Sequence, residues 1–293
     1  MAAEQFWKQA LVCSDAALST AALKPLPTDL DYISGWDGVT FELRHLSGLP
    51  PRHLRSAGPK PNPFRPWDRE LEVAAIGEQH VLILNKYPVQ IGHMLLITQT
   101  WAPQKGWLSL ADWTAVAEVD QDTTGLWFFN SGPEAGASQP HRHLQLLPRQ
   151  LNTPTCPRQH WFERHSHQPD SSRSERALVT ALSRSCVMQR FESQDLDGPL
   201  LWRSYLDLCE RIGLGSPNTD PQPLAPYNML LTRQWMALVR RLRDGVNGFS
   251  VNALGFAGYL LSTERSDRHW LRQSGPEALL GEVVQPMSQT TGR

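Results

Sequence analysis

The chain has 293 residues, with 28 Lys plus Arg against 29 Asp plus Glu, so no global field draws in nucleic acid or an anionic membrane and any anionic ligand must be held by local groups. No apolar run reaches the roughly 18 residues of a membrane span. Cys13, Cys156, Cys186 and Cys209 lie far apart without a CxxC pair, which speaks against a zinc clip or a disulfide framework and fits reduced thiols in a cytoplasmic protein.

In chain order, Glu4 and Lys8 interrupt the apolar residues of the first segment, which reads as an amphipathic helix with Phe6, Ala10 and Cys13 on one side, not as a signal peptide. Residues 48–66 are rich in proline and basic residues and read as a long ordered loop or strap. Three β-like runs follow, 71–76, 80–84 and 93–98, separated by Gly77, Pro88 and Gly92. Ser109 with Asp112 signals a helix start, and Leu110, Trp113, Val116 and Ala117 recur at helical spacing towards Asp122. Strands are predicted over 125–130 and 141–147, joined by a Gly, Pro and Ser loop over 131–140.

The polar stretch from Gln150 to Arg173 reads as a mobile loop, and its His160, His165 and His167 as solvated side chains, not as a metal set. Helices are predicted over 175–191 and 201–212, a hairpin over 228–232 and 235–239, then a glycine-punctuated block over 250–262 and a frayed end. The pattern predicts an α+β fold with an antiparallel sheet flanked by helices. Its divisions are 1–150 with the histidine strand, a mobile loop over 151–175, a C-terminal region over 176–280 and a tail over 281–293, together one compact unit.

The histidine strand carries the chemistry. Strand alternation places His141, His143 and Gln145 on one face, with Arg142, Leu144 and Leu146 on the other. Burying two imidazoles and an amide without partners would cost a few kcal/mol, so the row makes sense facing a ligand or a hydrogen-bonded network. The preceding loop, NSGPEAGASQP, supplies glycines for unusual backbone angles and amides that can converge on phosphate oxygens. A neutral imidazole attacks phosphorus at pH 7 without prior deprotonation, and the phosphoramidate it forms can pass the group on.

The string NSGPEAGASQPHRHLQLLP, with its HxHxQ core, resembles the active-site segment of the ATP adenylyltransferase or diadenosine tetraphosphate phosphorylase family, a branch of the histidine triad superfamily that is similar in site logic to galactose-1-phosphate uridylyltransferase. Further matching blocks are KPNPFRPWD (60–68), LNKYPVQIGHMLLIT (84–98), PYNMLLTRQWMALVRR (226–241) and NALGFAGYLL (252–261).

The resemblance implies a histidine-triad-like sheet with a C-terminal extension packing on it. It makes His143 the nucleophile, His141 an orienting neighbour and Gln145 a ligand of the nucleotide phosphate. Asn130, Gly136, Ala137, Ser138 and Gln139 match positions that hold substrate phosphates. Asn85 and Lys86 match nucleoside contacts, Lys60 a polyphosphate contact, and His93 a supporting position. Asn252, Ala253, Leu254 and Tyr259 match a C-terminal substrate segment. Thr263 stands where the family tends to carry lysine, so a polyphosphate contact there is absent or comes from Arg265.

The implied reaction is phosphorolysis of diadenosine tetraphosphate to ADP and ATP through an adenylyl-histidine, with Mg²⁺ on the polyphosphate and not in a protein cage. Its implied partners are small nucleotides and phosphate, with no nucleic acid and no membrane. The rival readings are a hexose-phosphate uridylyltransferase, a dinucleoside polyphosphate hydrolase and a nucleotide sensor without turnover. Gln145 cannot titrate as an acid or base, which favours transfer to an anionic acceptor over hydrolysis.

Overall fold

The runs HVLIL and MLLIT have every side chain buried, which an antiparallel strand tolerates only where both faces of its sheet are covered. They form the core of the computed structural model, which describes residues 3–36, 38–47, 62–148, 155–165, 181–193 and 195–286. The strands are β1 (Thr28–Ser34), β2 (Thr40–Leu46), β3 (Glu72–Ile76), β4 (His80–Leu84), β5 (Met94–Thr98), β6 (Gly125–Asn130), β7 (His143–Pro148), β8 (Cys186–Arg190), β9 (Tyr227–Leu231), β10 (Trp235–Arg240), β11 (Gly245–Val246), β12 (Phe249–Ser250) and β13 (Tyr259–Ser262). The helices are α1 (Gln5–Ser19), α2 (Leu110–Asp122), α3 (Gln159–His165), α4 (Gly198–Arg211), α5 (Ala253–Ala257), α6 (Arg268–Ser274) and α7 (Pro276–Glu282). Among the described residues no helix is long and apolar enough to cross a membrane.

Eight strands make one antiparallel sheet in the order β3-β4-β5-β7-β6-β9-β10-β8. The C-terminal half therefore extends the sheet through the β6–β9 pairing as well as packing on it. On the first face, Leu82, Leu96, Trp127 and Leu144 meet Trp113 of α2, Tyr205 of α4 and Ala10 of α1 in one cluster. Helices α2 and α4 approach closely: a Cβ on Gly198 would lie 2.5 Å from Thr114 Oγ1.

The second face carries two separate apolar clusters. Phe64, Val81, Ile83, Leu95 and Ile97 form one. Phe41, Phe128, Phe162, Leu230, Trp235 and Phe256 belong to the other, which β2, β13, α5 and α7 help to cover. Cross-strand partners share a face, and Leu95 pairs with Gln145 while Ile97 pairs with His143. The polar row of β7 thus fills the seam between two apolar patches.

Several predicted elements differ. The helix predicted over 175–191 ends in strand β8, because the outer edge of β10 takes a partner there. Val187 packs on the first face and Met188 on the second, a period of 2. Within the predicted loop, Gln159–His165 is helical, and Trp161 and Phe162 are buried, with Phe162 stacked on Trp235 at 4.9 Å. The predicted tail is packed at its start: Val283 and Val284 are buried, Arg241 bridges to Val284 and the Gln285 amide donates to the Arg240 carbonyl. Strands β1 and β2 carry mixed polar sequences and were not predicted; β2 earns its place by pairing with β1 on one side and, in parallel, with β13 on the other.

The predicted start of α2 is a full capping box between Ser109 and Asp112. Asp112 is buried and also binds His80 Nε2 and Arg142 Nη1, each at 2.9 Å. One carboxylate thereby joins α2, β4 and the residue between the two histidines. Replacing Asp112 by Ala leaves a buried guanidinium without its carboxylate and is expected to cost about 3–5 kcal/mol, measured by urea unfolding at neutral pH.

Candidate active site

His141, His143 and Gln145 are all buried, and the partners of each define its protonation. The Phe64 amide donates to Asn62 Oδ1, so Asn62 Nδ2 faces His141 Nδ1 at 2.9 Å and donates to it. The His141 proton is then on Nε2, 2.9 Å from both the carbonyl and the hydroxyl oxygen of Thr98. Both nitrogens of His141 are engaged, which suits an orienting role.

His143 differs. Its Nδ1 lies 2.8 Å from the His141 carbonyl, which can only accept, so Nδ1 is the protonated nitrogen and Nε2 carries the lone pair. Among the described residues no group bonds Nε2. Phe64 packs on the ring at 5.4 Å between centroids. Burial pushes the imidazole down to about 4, against the opposing pull of the His141 carbonyl, so the ring is neutral at pH 7.

A second chain of hydrogen bonds fixes Gln145. The Tyr87 amide donates to Asn85 Oδ1, Asn85 Nδ2 donates to His93 Nδ1 at 3.1 Å, and His93 Nε2 donates to Gln145 Oε1 at 3.1 Å. Among the described residues no group accepts from the Gln145 amide nitrogen, which leaves its protons for a ligand. His93, also pushed down to about 4 by burial, remains neutral and keeps this direction. Asn85, expected to contact the nucleoside, is bonded to His93.

The loop after β6 begins at Asn130, passes a short 3-10 turn at Pro133–Ala135 and reverses at Gly136 with φ 84°. A Cβ there would sit 2.8 Å from both Asn252 Cβ and the Val251 carbonyl, so only glycine lets the loop lie against the C-terminal segment. Gly136, Ala137 and Gln139 are half-buried and Ser138 is exposed.

Asn130 Oδ1 accepts from Asn228 Nδ2 at 2.8 Å and from the Ala253 amide at 2.9 Å. Asn252 caps α5 by accepting from the Leu254 amide. Arg241, fully buried, donates to Asn228 Oδ1 at 2.5 Å and to the Val251 carbonyl at 2.8 Å. Asn130, Ala253 and Asn252 therefore join loop to loop.

Other expected residues lie further out. Lys86 pairs with Asp68 at 3.1 Å. The Tyr259 hydroxyl donates to the Thr155 carbonyl, and its backbone registers with Glu42. Thr263 is in a turn closed by Ser266, with Arg265 exposed. Lys60 and His167 are outside the described residues. His160 pairs with Glu163 on the surface, and among the described residues no three His, Cys, Asp or Glu side chains gather as a metal cage. Asn62, Thr98, Gln104, Asn228 and Arg241 were not singled out from the sequence; Asn62 and the Asn228–Arg241 pair lie within matching blocks, while Gln104 has no local signature.

The sequence profile of the Ap4A phosphorylase N-terminal domain matches residues 1–160, and that of the ATP adenylyltransferase C-terminal domain matches residues 154–286. Diadenosine 5',5'''-P1,P4-tetraphosphate phosphorylase 2 of Saccharomyces cerevisiae is 29% identical over 258 residues, which cover 78% of this chain and 76% of the yeast protein. The crystal structure of yeast Ap4A phosphorylase Apa2 superposes with a TM-score of 0.74 at 21% identity, covering 100% of this chain and 98% of that one. Its complex with Ap4A gives 0.73 at 23% identity, covering 98% and 100%.

Fold and profiles together define a nucleotidyl-transferring enzyme. Within that class, the chain belongs to the Ap4A phosphorylase family, with the ATP adenylyltransferase domain as its C-terminal part.

The buried histidines make stability depend on pH. Unfolded, His93 and His143 take up protons below 6.5; folded, they stay neutral down to about 4. Their neutral burial is fully tolerated above 6.5, and stability falls as pH drops from there towards 4. Urea unfolding should lose on the order of 1–2 kcal/mol per histidine between pH 7 and pH 5, and His93→Gln should roughly halve the part of this slope that the pair contributes.

Proposed function

We propose that the chain phosphorolyses diadenosine tetraphosphate through a covalent adenylyl-His143, giving ADP and ATP, and runs the same steps in reverse. The hydrogen bond from His143 Nδ1 to the His141 carbonyl carries this reading, because it leaves Nε2 as the nucleophilic atom of a neutral ring. Nε2 attacks the α-phosphorus, the bond to the bridging oxygen breaks, and ATP leaves with the electron pair. Positive charge that develops on the ring is met at Nδ1–H by the His141 carbonyl. Inorganic phosphate then attacks the same phosphorus, the N–P electrons return to Nε2, and ADP departs.

In this reading the Gln145 amide donates to the α-phosphate, and the turn over Gly136, Ala137, Ser138 and Gln139 presents the Ser138 hydroxyl and the Ser138 and Gln139 amides to the other phosphates, while the Gly136 and Ala137 amides close the turn on the Pro133 and Gly132 carbonyls. Asn130, Asn252, Ala253 and Leu254 hold that turn against the substrate, while Lys86 and Tyr259 line its outer reach. Mg²⁺ arrives on the polyphosphate as part of the substrate. Gln145 supplies orientation without proton transfer, which suits an anionic acceptor better than water. Four free cysteines fit a reducing cytoplasm.

Product analysis with diadenosine tetraphosphate and Mg²⁺ tests the reading. ADP plus ATP formed only with phosphate is the expected result; AMP plus ATP without phosphate would make it a hydrolase, and no turnover a sensor. His143→Ala should abolish an acid-labile adenylyl-enzyme, and labelling that survives this change would remove His143 as the nucleophile.

A further inference from the structure

The β6–β7 ladder stops short of the nucleophile. Its register ends at Phe128 opposite Gln145, and two more residues along β6 would bring Asn130 opposite His143. Instead the side chain of Gln104 enters the gap, carried by a segment, 102–104, that pairs with 140–142. The Arg142 amide donates to the Ala102 carbonyl and the Gln104 amide to the Pro140 carbonyl, both at 2.8 Å, and Pro103 bridges to His141. At His143 the contact is made by the Gln104 side chain. Gln104 Oε1 accepts from the His143 amide at 2.8 Å, while Nε2 donates to the Asn130 carbonyl at 2.7 Å and to the His143 carbonyl at 3.2 Å.

The Gln104 side chain is buried, at 1% exposure, and both ends of its amide are used. A carboxamide has the donor and acceptor set of a peptide group, so it fits between a carbonyl and an amide that would otherwise bond directly. Direct bonding would close the strands at Asn130 and His143. The inserted amide keeps them apart and fixes both backbone groups of the nucleophile.

We propose that Gln104 is a positioning residue for nucleotidyl transfer, a surrogate peptide that holds His143 at a set distance from the phosphate loop. The proposal rests on His143 being the nucleophile. Gln104 touches no reacting atom; it acts through the backbone of His143 and Asn130. Displacing a reacting group by about 1 Å can cost roughly 10²-fold in rate.

The test is single-turnover adenylylation of the full chain with diadenosine tetraphosphate and Mg²⁺, using Gln104→Glu and Gln104→Ala. Glu keeps the acceptor for the His143 amide but turns oxygen towards two carbonyls; Ala removes the bridge. The expected result is a rate constant lower by about 10²-fold, with the final amplitude and the affinity for AMP within about threefold of the parent. A purely structural role would lower the amplitude and leave the rate constant of the folded fraction unchanged, and that pattern, or an unchanged rate, overturns the proposal.

If neither variant folds, the parent chain decides by NMR. The Gln104 side-chain amide protons should exchange slowly and shift on adenylylation. Fast exchange, or no shift, counts against the role. His143→Ala run alongside separates the two ideas, because labelling that persists there sinks the nucleophile itself, whatever Gln104 does.

Discussion

The row His143–Gln145 is buried in the seam between two apolar clusters, and there each polar atom must be bonded or be aimed at a ligand. Most atoms of the site obey the first condition. His141 is bonded through both nitrogens, Asn85 and His93 are spent on one another and on Gln145, and Asn130 is held by Asn228 and Ala253. Among the described residues two atoms of the row have no partner, His143 Nε2 and the Gln145 amide nitrogen. One is a lone pair and the other a donor, the pair of functions that an attack on a phosphate needs.

The tautomers follow from groups that have no choice. A backbone carbonyl only accepts and a backbone amide only donates, so His141 O, Phe64 N and Tyr87 N set the direction of each chain of hydrogen bonds. Burial completes the effect by keeping both His143 and His93 neutral at pH 7. Electrostatics at this centre are thus built from neutral dipoles. Of the buried cations, Arg142 is paired with Asp112, and Arg241 ties Val251 and Asn228 together behind the phosphate loop.

The two halves of the chain meet in this arrangement. Strand β6 belongs to the N-terminal profile and β9 to the C-terminal one, yet they are neighbours in one sheet. Asn130 at the end of β6 receives the Ala253 amide from the C-terminal segment, and Gly136 lies against Asn252. A site assembled this way requires both halves to be folded together, because the phosphate loop is held by Gln104 from its own half and by Asn228 and Ala253 from the other.

Much of the framework was readable from local pattern. The alternation over 141–145 placed the histidines and the glutamine on one face, Ser109 with Asp112 marked a helix start, and the 228–239 hairpin followed from its two β-like runs. These features depend on neighbours within a few residues, which is the range over which side-chain periodicity and capping operate. What only the tertiary structure decided involves partners far apart in the chain. Asn62 reaches His141 across 79 positions, His93 reaches Gln145 across 52, and Gln104 reaches His143 across 39. Strand β8 replaced an expected helix because a distant edge was free to pair. The residue types that could do the chemistry, and the i−2 carbonyl that sets the His143 tautomer, were therefore legible in the chain itself, whereas the burial that keeps the ring neutral, the orientation of Gln145 and the opening beside the nucleophile arise from long-range contacts that no local spacing encodes.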